Sequence, residues 1–505
     1  MARDTQHIDG GAHSVGDERV HTPRQARAFA EQVLSRAAGA PLVSGNRVRL
    51  LKDAAGNYPA WLAAIRAAQR SIFFENYIVE EDDIGREFVA ALAAQARNGV
   101  RVFAHYDWLG AMGRASRGLW EPLTAAGGAV RCFNPPRLDS PLGWLTRDHR
   151  KMIAVDGEVA FVAGLCVSRQ WTGDPARGRD AWRDTGIEVH GPAVAEIERT
   201  FGDAWDAEGA ALAADAYTDP AAIADQGEMM VRVLATVPNT ASLYRVDQLI
   251  AAMARKTLWL TDAYFVGVAI YVQALRAAAL DGVDVRLLVP GASDIPLLPT
   301  LSRAGYRPLL EAGVRVFEWN GSMLHAKTAV ADGRWARVGS TNLNIASWIG
   351  NYELDVAVEN DDFARAMQDM YENDLTHATE LVLAPHNRVR ATVRQRRGSR
   401  RGGSASRAAA GALRLGNTVG AAIINRRVLG STEAGTMAGV GLALLALAAA
   451  VLWWPLAVAA PLAALGAWVA LSLLVKAWRL RRSPRASVAA EGERLPQRST
   501  RAGDD

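Results

Sequence analysis

The phrase H-x-K-x-x-x-x-D occurs twice in this chain, with its first residues 176 positions apart. One copy is His149-Arg150-Lys151-Met152-Ile153-Ala154-Val155-Asp156, the other His325-Ala326-Lys327-Thr328-Ala329-Val330-Ala331-Asp332. Their surroundings repeat with them. Residues 48–51 match 231–234, 71–74 match 257–260, 99–102 match 282–285, and 129–134 match 314–320. Each is a short β-type run, and helical patterns separate them at 58–70, 84–97 and 268–280. A chain that spells strand, helix, strand, helix, strand, site strand twice over is constrained to two equivalent folds. The expected class is therefore α/β, a duplicated sandwich whose two halves share one active site.

The phrase also carries chemistry. Only five lysines occur against fifty-two arginines, and two of the five sit in it. Along a strand, residues i and i+2 face one side, so each His shares a space with its Lys. Histidine can attack phosphorus or move protons near neutral pH. Lysine supplies a compact charge for phosphate oxygens that become more negative in the transition state. One copy is not enough, because cleaving a phosphodiester needs a nucleophile on one side and a proton donor on the other. The catalytic set is thus His149, Lys151 and Asp156 with His325, Lys327 and Asp332. Each Asp falls at a strand-to-turn boundary, where it is expected to anchor the site rather than react. Downstream, Gly339-Ser340-Thr341-Asn342 and Ala163-Gly164-Leu165-Cys166 form small-residue turns, and Ser340 and Asn342 are candidates for binding phosphate oxygens. Glu353 and Asp184 are candidates to hold the far nitrogen of the histidines, with Glu188 competing for the Asp184 role. No metal or other cofactor is expected, since paired lysines repel a cation and no His/Cys metal spacing occurs.

Outside the repeats, charge and hydropathy are unevenly distributed. No charged residue occurs from 434 to 475, longer than the ~20 residues of one membrane helix. Pro455 and Pro461 mark a turn in its middle, and basic residues flank both ends, which predicts a transmembrane hairpin with cytoplasmic termini. Eight arginines and no acid occupy 388–407, suiting anionic lipid or a nucleic-acid backbone. Cys132 and Cys166 are too few for a disulfide framework, and the polar N-terminus shows no signal-peptide pattern. Residues 21–37 read as an amphipathic helix, 408–429 as an interfacial one, and the insertion 135–145 as a proline-punctuated apolar loop.

The duplicated phrase followed by Gly339-Ser340-Thr341-Asn342 resembles the phospholipase D superfamily. Longer strings, among them Glu75-Asn76-Tyr77-Ile78, Ile84-Gly85-Arg86, Trp182-Arg183-Asp184-Thr185 and Leu324-His325-Ala326-Lys327, are similar to bacterial cardiolipin synthases. The likeness spans about 22–384, and the lack of N-terminal membrane helices resembles the cardiolipin synthase B type. It implies metal-free phosphatidyl transfer from one phosphatidylglycerol to another through a phosphohistidine, with the N-terminal histidine, here His149, as nucleophile. Cys166 stands where the family usually has Asn, and Ala163 where Gly is common. Asp148 and Gly186 stand where the family often has Asn and His. A hydrolase or nuclease that cuts a phosphodiester with water is the alternative.

The expected division is a disordered 1–22, a first phospholipase D-like half 23–215, a second half 216–385, a basic linker and amphipathic helix 386–433, a transmembrane hairpin 434–476 and a basic disordered tail 477–505. The expected partners are phosphatidylglycerol and anionic membrane lipid rather than nucleic acid. The expected location is the bacterial inner membrane with a cytoplasmic catalytic part. Nothing in the sequence specifies an oligomeric state.

Overall fold

The computed structural model describes residues 23–137, 145–295, 298–384, 388–391 and 455–482, with isolated positions between 442 and 453. The first repeat supplies strands β1 (Val43–Lys52), β2 (Ser71–Asn76), β3 (Arg101–Asp107), β4 (Ala129–Phe133), β5 (Lys151–Val155), β6 (Val159–Ala163) and β7 (Thr185–His190). The second supplies β8 (Met229–Thr236), β9 (Thr257–Thr261), β10 (Asp284–Ala292), β11 (Arg315–Met323), β12 (Thr328–Ala331), β13 (Trp335–Gly339) and β14 (Glu353–Glu359). A hairpin of β15 (Ala378–Ala384) and β16 (Arg388–Ala391) extends the far edge.

Hydrogen bonding links the strands in the order β16-β15-β11-β10-β9-β12-β13-β14-β8-β1-β7-β6-β5-β2-β3-β4. Outward from the antiparallel β8–β1 junction, both directions follow one path. β1-β7-β6-β5-β2-β3-β4 is matched by β8-β14-β13-β12-β9-β10-β11. Pairing is parallel in β2-β3-β4 and in β9-β10-β11, where helical segments provide the crossovers that parallel neighbours require.

These strands are buried on both faces, hence their near-continuous apolar runs. Helices Asp53–Ala67 and Asp83–Arg97 cover the outer face of the first half, packing Trp61, Ile65, Phe88 and Leu92 on Phe74 and Ile153. Helices Ser242–Met253, Ala269–Leu280 and Leu298–Glu311 do the same for the second half. The inner faces share one core, in which Phe73, Met152, Val162 and Ile187 join Trp259, Val330, Val338 and Val356. The two site strands are thereby fixed on a common base.

Each repeated β-type run of the sequence lies in a strand, except that Gly99, Val100, Gly282, Val283 and Val314 precede theirs and Asn134 follows its own. The helix expected over 58–70 starts earlier, at Asp53. The Asn57 amide donates to the Asp53 and Leu51 carbonyls, and Pro59 lies inside the helix rather than at its start. The helix expected over 21–37 is Pro23–Ala38, seated by Leu34 and Ala38 in the second half's outer core. The basic run does not begin as a linker, for Arg388 and Arg390 lie in β16.

Among the described residues no helix is counted as long and apolar enough to cross a membrane. The transmembrane hairpin expected over 434–476 is therefore not carried into the fold. Most of its first arm lies outside the described residues, and its second falls in the helix Pro455–Arg482, which contains Pro461 and extends into the tail expected to be disordered. Residues 1–22, most of the apolar loop (138–144) and the interfacial helix over 408–429 also lie outside the described residues.

Candidate active site

Each H-x-K phrase enters a buried strand. Lys151 opens β5, and Lys327 immediately precedes β12. The segment leading into each phrase is clipped to the opposite half by a pair of backbone hydrogen bonds. His149 N donates to Tyr352 O (2.9 Å), and Tyr352 N to Arg147 O (2.8 Å). In the second copy His325 N donates to Arg183 O (2.7 Å), and Arg183 N to Met323 O (2.9 Å). Tyr352 and Arg183 each stand one residue before a carboxylate, so the clips deliver that carboxylate to the facing histidine.

The side chains complete the exchange. His149 Nδ1 lies 2.9 Å from Glu353 Oε2, and His325 Nδ1 lies 2.8 Å from Asp184 Oδ2. Each half's histidine is held by the other half's acid, a pairing that the sequence left unassigned. A carboxylate accepting from Nδ1–H keeps that proton in place and leaves Nε2 with its lone pair outward. Glu188, the competitor for the Asp184 role, is elsewhere, bonded to Arg49 and to His190 Nε2 (2.9 Å).

The lysines are close behind. Lys151 Nζ donates to His149 O, and Lys327 Nζ donates to His325 O and lies 2.9 and 3.1 Å from the ring nitrogens of His325. Burial, and then the Lys327 charge, depress the His325 pKa to about 3 despite Asp184. Burial also lowers His149, offset by Glu353 and reinforced by Lys151 and Lys327. Lys327 is itself brought down to about 8, first by burial, with the Lys151 charge adding to it. Each lysine therefore acts on the histidine of the other half, and the two sets form one electrostatic unit. Burial favours neutral Glu353 and Asp184, yet the facing imidazoles and the lysines hold both carboxyls below the ordinary range.

Supporting groups differ between the halves. Ser340 Oγ donates to Glu353 Oε2 (2.6 Å) and accepts from Leu354 N (3.0 Å). The Ser340 and Thr341 amides are taken by Asp355 Oδ1, so those two backbone donors are occupied and Ser340 acts as an orienting group. At the equivalent place stands Gly164, where a Cβ would come within 2.2 Å of Asp184 Oδ1. Asp184 instead receives the indole N–H of Trp171 at 2.8 Å. Asn342 is buried with its Oδ1 unpartnered, and Cys166 occupies its counterpart in the first half, the thiol pushed up by burial against the pull of Lys151.

Asp156 and Asp332, counted with the catalytic set but expected to anchor rather than react, are placed away from the histidines. They sit beyond the far ends of β5 and β12, with φ of 57° and 53°. Asp156 accepts from the amides of Gln69, Arg70 and Ser71, and Asp332 from those of Arg255, Lys256 and Thr257. Both carboxylates are committed to starting β2 and β9.

Aromatic rings escaped the sequence reading as site residues. Tyr77 lies 4.9 Å from the His149 ring, whereas His325 has Trp171, Trp182 and Tyr264 at 5.3, 5.6 and 5.7 Å. Lys151 lies over Tyr77 and Lys327 over Tyr264. Tyr77 and Trp182 occur in the family-like strings, which was the available signal. Among the described residues the one group with metal-ligand chemistry is Glu75, His105 and Asp148, which includes neither histidine of the two phrases.

The fold is that of the phospholipase D-like class. Residues 248–375 match the family model described as cardiolipin synthase, PLD-like domain. The crystal structure of phosphatidylserine synthase from Haemophilus influenzae Rd KW20 superposes with a TM-score of 0.56 at 14% identity, covering 70% of this chain and 92% of that one. Cardiolipin synthase of Alkalihalophilus pseudofirmus is 31% identical over 351 residues, 68% of either chain. Cardiolipin synthase A of Pseudomonas aeruginosa is 33% identical over 372 residues, 71% of this chain and 73% of that one. The chain belongs to the cardiolipin synthase family.

Proposed function

We propose that this protein makes cardiolipin by moving a phosphatidyl group from one phosphatidylglycerol to the terminal hydroxyl of another, releasing glycerol. The cross-half pairing carries this reading, for it presents two Nε2 atoms and two ammonium groups to one phosphate. Lys151 and Lys327 bind the non-bridging oxygens, with Asn342 as a further contact in the second half. His149 Nε2 attacks phosphorus, the bond to the glycerol oxygen breaks, and His325 gives that oxygen its proton. The second phosphatidylglycerol then loses its hydroxyl proton to His325. Its oxygen attacks phosphorus, the P–N bond breaks, and His149 is restored. One phosphodiester replaces another, so no nucleotide is consumed.

The electrostatics assign the two histidines. His325, nearly neutral in the empty site, gains basicity when an anionic phosphate offsets Lys327 and Lys151, which loads it as the acid. His149 is the less enclosed of the pair and has no ammonium group against its ring, which favours it as nucleophile. Residues 23–215 and 216–385 are taken as the halves that contribute them.

Membrane seating is proposed for the helix Pro455–Arg482. Leu471, Leu473, Leu474 and Trp478 are exposed on it beside Lys476 and Arg479, a pattern suited to anionic lipid on the cytoplasmic side of the bilayer. The relatives from Pseudomonas fluorescens and Pseudomonas aeruginosa carry the name cardiolipin synthase A.

Purified protein in phosphatidylglycerol vesicles tests the reaction by lipid mass spectrometry. Cardiolipin and glycerol in equal amounts are expected. Phosphatidic acid as the sole product would mean hydrolysis, and cleavage of DNA but not lipid would mean a nuclease.

A further inference from the structure

Behind the first site strand lies a group of side chains that the proposed chemistry does not use. Glu75 on β2, His105 on β3 and Asp148 just before β5 are fully buried. Asp148 Oδ2 lies 3.2 Å and Glu75 Oε1 3.7 Å from His105 Nδ1, and the three donor atoms fall within 4.8 Å of one another. Among the described residues these atoms meet only one another, and Glu75 Oε2 and His105 Nε2 have no hydrogen-bond partner. Buried polar atoms left this way are strongly unfavourable unless something satisfies them.

The duplication provides an internal control. His105 faces Glu75 across β2–β3 in the register where Leu288 faces Thr261 across β9–β10. Asp148 precedes His149 as Leu324 precedes His325. Thr261, Leu288 and Leu324 are buried, and the two leucines belong to the shared core. The same fold is therefore complete with little polarity at these positions, and the first half's set answers some other need.

Neighbouring groups do not fill that need. Arg150, buried beside the set, directs its guanidinium to the carbonyls of Glu353, Thr200 and Thr236 and to Asp203. Its backbone N–H occupies Asp148 Oδ1, leaving Oδ2 turned to His105. The rings of Phe133, Trp205 and Phe201, at 5.7, 5.9 and 6.1 Å from His105, keep the surroundings apolar.

The spacing suits a cation. Nitrogen and oxygen donors at about 2.1 Å in a tetrahedron are separated by about 3.4 Å, between the two distances observed from His105. Each of the three residues offers one donor atom, and two carboxylates balance a dication. We propose that Glu75, His105 and Asp148 form a buried structural site for one divalent transition-metal ion, Zn²⁺ or Mn²⁺ by its ligand chemistry. It is separate from the phosphate site and takes no part in the transfer step.

The test is the metal content of the full chain, expressed with both metals supplied, purified in detergent and dialysed against chelator. About one ion per chain is expected in the wild type, and under about a tenth as much in His105→Leu, which copies the second half. X-ray absorption of the wild-type metal should show oxygen donors with one imidazole. Less than about a tenth of an ion in the wild type overturns the site, leaving His105 as an imidazolium between two carboxylates. So does an undiminished content in His105→Leu, or a spectrum with sulfur or without imidazole. The two wild-type measurements stand even where the variant does not fold.

Discussion

In the first half Asp184 is steadied by the indole of Trp171, and in the second Glu353 is steadied by the hydroxyl of Ser340. The halves follow the same strand path and carry the same phrase, yet they reach one result by different means. A short carboxylate beside a glycine leaves room for a large ring, while a longer one meets a serine. The histidines differ in turn. His325 is enclosed by three aromatic rings with a lysine against it, and His149 has one ring and more solvent. Duplication gave two equivalent positions, and in the proposed mechanism the divergence of their surroundings lets one group attack while the other carries the proton.

Substitutions can break this comparison. His149→Ala should abolish turnover, because no other group replaces the nucleophile, and His325→Ala should lower it by about 10²–10⁴-fold. Assays with labelled phosphatidylglycerol give both values, and an active His149→Ala would end the assignment. Glu353→Gln and Asp184→Asn should each cost roughly 10²–10⁴ in kcat by releasing the tautomer. Their ¹⁵N imidazole spectra should show crossed effects, with Glu353→Gln disturbing His149 and Asp184→Asn disturbing His325. A disturbance confined to the same half would contradict the pairing.

Smaller effects sharpen the contrast. Ser340→Ala and Trp171→Phe each remove one donor to a charged acceptor and should lower kcat about tenfold, consistent with 1.5–3 kcal/mol at most for such a bond. An unequal loss would say which carboxylate depends more on its support. The pH profile isolates Lys327. Its depressed pKa means its charge is present below about 8 and lost above, so kcat/KM should fall as pH rises through that value. Lys327→Arg should remove this limb while lowering the rate, and a limb that persists would belong to another group.

Much of this architecture was legible because the repeats are local. Runs such as 71–74 and 257–260 are apolar and short, and one phrase follows each in the same order, delayed in the first copy by the 135–145 insertion. The pairing of Glu353 with His149 was not legible. It depends on single-residue bridges, Asp148 with Tyr352 and Arg183 with Leu324, that leave no periodic pattern. The anchoring role of Asp156 and Asp332 was legible from their strand-to-turn positions, since a residue five positions along a strand from its lysine is about 16 Å away. The set at Glu75, His105 and Asp148 was hidden, as the pairing was. Its members lie on three different segments, each of which reads as ordinary β sequence.

The central claim is that two halves make one site with divided roles. Its most direct measurement uses His325→Ala with a phosphatidyl donor whose leaving group needs no proton, so that the first step proceeds and the second stalls. Rapid quenching and peptide mass spectrometry should find the phosphatidyl group on His149 alone. An adduct on any other residue, or release of the leaving group with no adduct on the enzyme at any time, would contradict the account.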